Sequence, residues 1–182
     1  MDWEINFLKY VINNFHNETM TKIMGFITSL GNVGFIWILF AVIMLIIPKM
    51  RKTGVNMSLS LFIVFILVNV IIKPLIDRDR PFEVNEDIFN SILIAFPKDS
   101  SFPSGHTSAS FAGAVAAFFC NKKIGICFLI LATLIAFSRL YFAVHFPTDV
   151  VAGVVIGSIV GVASYKILEK LKKVVDKCNK VW

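Results

Sequence analysis

Apolar residues in this chain run in long blocks rather than alternating with polar ones. Four blocks are plain: Ile23 to Ile47, Val55 to Ile72, Ile124 to Ala143 and Val150 to Leu168. About 20 mainly apolar residues are needed to cross a hydrocarbon core of about 30 Å, so each block predicts a membrane-spanning helix. A fifth block, Ser104 to Phe119 (SGHTSASFAGAVAAFF), is rich in small residues, which suits close packing inside a helix bundle rather than contact with lipid. The first block is interrupted by Gly31-Asn32-Val33-Gly34 and predicts either one kinked helix or two shorter pieces. Residues 3 to 16 place Trp3, Ile5, Phe7, Leu8, Val11, Ile12 and Phe15 at helical spacing among polar groups, the pattern of a short helix lying in the interface. The expected fold is therefore all-α. It is a polytopic membrane helical bundle of about five to six transmembrane helices with a short N-terminal interfacial helix, organised as a single domain over residues 1–182.

Composition agrees with this reading. The chain is 57% hydrophobic and 16% charged, with mean hydropathy +0.76, whereas a soluble domain carries about a quarter charged residues. The partner this implies is the bilayer, not a nucleic acid. Asp2 and Glu4 stand where a secretory signal would be positive, so the N-terminal segment is read as part of the mature protein. Cys120, Cys127 and Cys178 show neither CxxC nor Cys/His spacing, which points away from a disulfide framework and from zinc and towards reduced thiols. The run KILEKLKKVVDKCNK, residues 166 to 180, reads as a basic helical tail on the membrane surface.

Charge sets the expected orientation. With five spans, one set of connections carries eleven cations (Lys49, Arg51, Lys52, Lys122, Lys123 and six tail lysines) against two acids, Glu169 and Asp176. The opposite set carries seven cations against ten acids. Under the positive-inside rule the first set and the C-terminus are cytoplasmic. Three unusual stretches, KPLIDRDRPF, PSGH and SRLYFAVHFPTD, then share the non-cytoplasmic face.

Each stretch has an ordinary reading when taken alone. Lys73 ends a span, where a lysine commonly snorkels, and Arg80 could pair with Asp77 or Asp79 at the surface. In PSGH, Ser104 is a good N-cap, and the backbone N–H groups of Gly105 and His106 are among the unpaired donors of a helix start, a ready anion site. Arg139 lies within an apolar block, where a central arginine costs about 2.5 to 3.5 kcal/mol, so it should be paired and face a polar cavity or a span end. Pro147 stops the preceding helix, which leaves His145 on a turn and Asp149 in the first turn of the next helix. Asp149 could accept a hydrogen bond from His145, fix its tautomer and leave the other ring nitrogen free as nucleophile or base.

Taken together, these stretches bring three fixed cations, two histidines, a carboxylate and a helix start to one face. Cations repel a divalent metal, so no metal and no cofactor is expected, and an anion is favoured. Three cations with backbone donors match a transferring phosphoryl group, whose catalysis is mostly positioning and electrostatic stabilisation. One histidine would attack phosphorus, and the other would protonate the leaving oxygen.

The stretches also fit, in order, K-x6-R-P, PSGH and S-R-x5-H-x3-D, and in this the chain resembles the type 2 phosphatidic acid phosphatase superfamily. The resemblance covers residues 73 to 149. It implies a bundle of about six membrane helices and metal-independent hydrolysis through a phosphohistidine. Carried onto matching positions, it makes His145 the nucleophile, Asp149 its orienting partner and His106 the general acid. Lys73, Arg80 and Arg139, with Ser104 and the Gly105 backbone, would hold the phosphate, while Asp77, Arg78 and Asp79 would only solvate the loop.

The expected substrate is a phosphorylated membrane lipid. Small size, the N-terminal segment and the outward site resemble the undecaprenyl diphosphate phosphatases, which usually show PSDH-like variants and often lack the leading lysine. Gly105 and Lys73 depart from that pattern and bring phosphatidylglycerophosphate and phosphatidic acid nearly level. A phosphotransferase of the same family is a third reading. A non-enzymatic anion channel or transporter would use the cations but has no need of a His/Asp pair.

Overall fold

The computed structural model describes residues 2–90, 94 and 97–178, without the side chains of residues 175, 177 and 178. Cys178 as a thiol and the end of the basic tail thus lie outside the described residues. Helix α1 (Asp2–Phe15) is followed by α2 (Glu18–Leu30), a 3-10 turn at Asn32–Gly34 and α3 (Phe35–Ile46). Helix α4 (Arg51–Phe65) continues through π turns at Ile66–Ile72 to Lys73–Ile76. Short turns at Pro81–Val84 and Glu86–Phe89 lead on to α5 (Gly105–Cys120), α6 (Lys122–Tyr141) and α7 (Pro147–Cys178).

The molecule is an all-helical membrane bundle. Among the described residues three stretches are long and apolar enough to cross a membrane: Pro48–Val84, Lys122–Tyr141 and Pro147–Val174. The α2/α3 pair, bent by 48°, makes a fourth if it counts as one span. The fifth expected span, α5, has 16 residues. At 1.5 Å per residue it rises about 24 Å, less than the three stretches above, yet it runs from the site end to the turn that starts α6 and so joins the same two ends of the bundle. Its place is central: α5 packs on α4, α6 and α7, and Ala112, Ala114, Ala116 and Ala117 are fully buried.

Small residues set how closely α5 and α7 approach. A Cβ on Gly157 would stand 2.4 Å from the Ser108 carbonyl oxygen, and one on Gly153 would stand 2.9 Å from Thr107 Cβ. Without those hydrogens-only positions the helices could not pack backbone to backbone. The consequence is positional, because this contact ties the start of α5 to the first turns of α7. At the far end of the bundle, Lys52 pairs with Glu169 at 2.6 Å, so the α3–α4 connection and the tail of α7 lie together.

Helix α1 is amphipathic as expected, with Leu8 and Val11 buried and Trp3, Phe7 and Phe15 exposed. Its inner face meets a cluster of Phe82, Ile88, Tyr141, Phe142, Val144 and Phe146, which places it over the loops at the site end.

Candidate active site

Lys73 follows the π-wound stretch of α4, where i→i+5 bonding widens the turns and re-aims the side chains that follow. It is buried, and its Nζ donates to the Asp99 carboxylate and to the Ser100 carbonyl at 2.7 Å. Arg80 is also buried. Its Nη2 donates to Asp99 Oδ1 at 2.7 Å, its Nε to the Asp99 carbonyl at 2.9 Å and its Nη1 to the Val144 carbonyl at 2.7 Å. One carboxylate is thus shared by both cations. Burial alone would push the Asp99 carboxyl up, but the Lys73 hydrogen bond and the charges of Lys73 and Arg80 outweigh it and hold it at about 2. Asp99 was not singled out in the sequence, since nothing in PKDSS marks one acid in a polar loop as structural.

Ser104 occupies the N-cap position of α5, but its side chain makes no capping bond. Its hydroxyl oxygen accepts from Thr107 Oγ1 at 3.0 Å, and its N–H donates to the Asp149 carbonyl at 3.1 Å. Gly105 comes next, and a Cβ there would stand 3.8 Å from Lys73 Cε and 3.4 Å from Asn69 Oδ1. Lys73, Arg80, Asp99, Gly105, His106, Arg139 and His145 line one cavity of about 900 Å³. Ser104 and Asp149 stand behind its wall.

His145 sits on the turn between α6 and α7, 2% exposed. Its Nδ1 faces Asp149 Oδ2 at 3.6 Å and the Ser101 hydroxyl at 3.5 Å, both longer than an ordinary N–H···O bond. The Ser101 hydroxyl in turn donates to Asp149 Oδ2 at 2.5 Å, so hydroxyl and carboxylate stand together beside the ring. The hydroxyl oxygen is left to accept from the ring. The other ring nitrogen, Nε2, lies 3.4 Å from Arg80 Nη1 and looks towards the clamp. Burial, reinforced by the Arg139 and Arg80 charges, pushes the His145 imidazole down to about 3 against the opposing pull of Asp149. A neutral ring with a lone pair towards the cavity is the form a nucleophile needs.

Arg139 is buried near the end of α6, and its Nη1 donates to Thr28 Oγ1 on α2 at 2.6 Å. Its Nε has no partner among the described residues. A buried guanidinium donor left open at the cavity wall is costly unless an anion fills it.

The expectation that Asp77, Arg78 and Asp79 only solvate a loop is corrected for Arg78. It donates to Asp149 Oδ1 at 2.5 Å, to Thr148 Oγ1 at 2.8 Å and to Glu4 Oε2 at 3.0 Å, and it stacks on Phe146 at 4.1 Å from the ring centre. A buried carboxylate draws in the nearest cation, and alternating charges in DRDR do not reveal which that will be. Glu4 was also missed, and it accepts from both the N–H and the hydroxyl of Thr148. A signal for it existed: Glu4, Leu8 and Val11 share one helical face, and both apolar members are buried.

Among the described residues no three His, Cys, Asp or Glu side chains gather as metal ligands would. The cavity is instead ringed by cations and suited to an anion with several oxygens. Of the residues expected from the sequence, six line it and two, Ser104 and Asp149, support it from outside.

The chain is similar to several known proteins. A family model described as the PAP2 superfamily matches residues 53–173. An undecaprenyl-diphosphatase of Sulfolobus acidocaldarius is 32% identical over 158 residues, 86% of this chain and 75% of the relative. The undecaprenyl-diphosphatase BcrC of Bacillus subtilis is 30% identical over 171 residues, 92% of this chain and 84% of the relative. Among solved structures, a transmembrane PAP2-type phosphatidylglycerolphosphate phosphatase from Bacillus subtilis superposes with TM-score 0.76 at 23% identity, covering 93% of this chain and 86% of that one.

Proposed function

This chain belongs to the PAP2 superfamily and is a membrane lipid phosphatase, and on that premise we propose that it hydrolyses a prenyl diphosphate through a phosphohistidine on His145. The observation that carries the reading is the buried imidazole of His145, with Nδ1 towards Ser101 and Asp149 and Nε2 towards Arg80 in a cation-lined cavity. In the first step His145 Nε2 bonds to phosphorus, the bond to the lipid-side oxygen breaks, and His106 gives that oxygen its proton. In the second step water attacks the phosphohistidine, His106 takes the water's proton, and inorganic phosphate leaves. Lys73, Arg80, the Arg139 Nε–H and the Gly105 backbone would hold the non-bridging oxygens, as a loose phosphoryl-transfer transition state requires. Ser104 would act by shaping the loop. The whole chain works as one domain on this reading.

The prenyl diphosphate assignment is supported by two relatives named as undecaprenyl-diphosphatases, each covered over three quarters or so of its length. The site end would face outwards and the α7 tail inwards, as the lysine and arginine asymmetry predicts. The test is phosphate release by purified protein in detergent with chelator present, comparing wild type with His145→Ala across a panel of undecaprenyl diphosphate, phosphatidylglycerophosphate and phosphatidic acid. Prenyl diphosphate should be turned over fastest, and His145→Ala should abolish turnover. Faster glycerolipid hydrolysis would replace the substrate, phosphoryl transfer to an added lipid alcohol would make the enzyme a transferase, and activity in His145→Ala would remove the nucleophile.

A further inference from the structure

The break between α2 and α3 has no part in the phosphate clamp, yet it is built against one residue of the reaction. His106 Nε2 lies 3.0 Å from the carboxamide oxygen of Asn32. An amide oxygen only accepts, so the ring nitrogen facing it carries the hydrogen. The backbone beside it is fitted to the same ring: a Cβ on Gly31 would stand 2.6 Å from His106 Cδ2 and 3.0 Å from Ile135 Cγ2. Reaching this position takes unusual geometry. The chain bends by 48°, Val33 adopts φ 53° and ψ 20°, and Gly34 follows at φ 70°. A β-branched residue rarely enters the left-handed region, and strain of that kind persists where surrounding structure holds it for a purpose. Val33 itself is 94% exposed, so packing of its own side chain is not what holds it there.

We propose that Asn32 is a positioning residue for the general acid, taking the Nε2–H of His106 and so assigning the exchanged proton to Nδ1. This rests on the phosphatase reading given above. In the doubly protonated ring Nδ1–H goes to the leaving oxygen, and the Nδ1 lone pair that remains accepts a proton from the attacking water. Nε2–H stays with Asn32 through both steps, so the ring neither rotates nor switches tautomer between them. The arrangement parallels His145, whose Nδ1 side is held by Ser101 and Asp149, but it is assembled from a different helix.

A leaving group that needs no proton separates this role from a structural one. Turnover is measured on a long-chain alkyl phosphate, which leaves as an alkoxide unless protonated, and on 4-nitrophenyl phosphate, whose phenolate leaves unaided. Asn32→Ala is expected to lower kcat/KM, which ends with departure of the leaving group, by roughly 10- to 100-fold on the alkyl phosphate, by analogy with the partners that orient metal-ligating imidazoles. On 4-nitrophenyl phosphate the loss in kcat/KM should stay within about threefold, since general acid catalysis has little to add to that step. Asn32→Leu, which keeps side-chain volume without an acceptor, should behave as Asn32→Ala does. Equal losses on both substrates, no loss on either, or recovery in Asn32→Leu would overturn the inference alone, provided His106→Ala shows the leaving-group asymmetry. If His106→Ala lacks that asymmetry too, the general-acid reading falls and the inference with it.

Discussion

Arg78 Nη1 lies 2.5 Å from Asp149 Oδ1, on the opposite side of the carboxylate from the one that serves His145 through Ser101. Asp149 therefore faces the imidazole with a fixed orientation, because one oxygen is held by Arg78 and the other by Ser101 and by the Phe146 N–H at 2.8 Å. Asp149→Asn keeps the size but loses the charge that favours the Nδ1–H tautomer. Its kcat should fall on the order of 10³- to 10⁴-fold, by analogy with the carboxylate of a serine protease triad. Arg78→Gln leaves the acid in place but frees one of its oxygens, and should lose about 10- to 100-fold, by analogy with residues that orient metal-ligating side chains. Steady-state kinetics on the two purified variants checks this, and an unchanged Arg78→Gln would show that Ser101 and the Phe146 amide suffice.

Asp99 holds the position that an anionic ligand would compete for. Lys73 and Arg80 are both partnered by its carboxylate, so a phosphate oxygen must displace that carboxylate or share its donors. Asp99→Asn removes the competing charge. Inorganic phosphate should then inhibit more tightly, by roughly tenfold or about 1.4 kcal/mol. Inhibition constants for phosphate in wild type and variant decide the matter, and weaker inhibition in the variant would mean that Asp99 aligns the two cations rather than occupying them.

The buried His145 makes a pH prediction with a definite sign. Burial pushes its imidazole down to about 3 in the folded protein, from about 6.5 when unfolded. Between those values the unfolded chain binds the extra proton, so stability is full above about pH 6.5 and is lost as the pH falls towards 3. The slope from this one group is at most about 1.4 kcal/mol per pH unit. Thermal unfolding in detergent across that range should therefore be less acid-sensitive in His145→Asn than in wild type. Parallel curves would show that His145 is not the group responsible.

The sidedness expected from the lysine and arginine asymmetry is open to direct measurement. Glu86 and Lys170 are both exposed, one beside the site and the other on the long final helix. With single cysteines at these positions in intact cells, an impermeant thiol reagent should label Glu86→Cys and spare Lys170→Cys. The opposite pattern would place the site on the cytoplasmic face.

Much of the site was legible in the sequence because its residues are costly where they stand. A lysine and an arginine against apolar blocks, and an arginine inside one, need partners, and that need points to a shared polar cavity before any coordinates are known. The helix starts at Gly105 and Pro147 were equally plain, since serine, glycine and proline fix local backbone through their own chemistry. The supporting shell was not legible in this way. Asp99, Ser101 and Arg78 lie in polar loops where an acid, a hydroxyl or a base is ordinary, and only the folded chain turns these particular ones inward.

The sequence alone determined the membrane bundle and the identity of the charged and imidazole groups, because hydrophobicity, helix period and burial cost are properties of the residues themselves. Tertiary structure decided the pairings: Ser101 between His145 and Asp149, Asp99 across Lys73 and Arg80, Arg78 and Glu4 behind them, and Asn32 against His106. Those contacts join positions far apart in the chain. They depend on how closely α5 and α7 approach and where the first span bends, which no local pattern encodes.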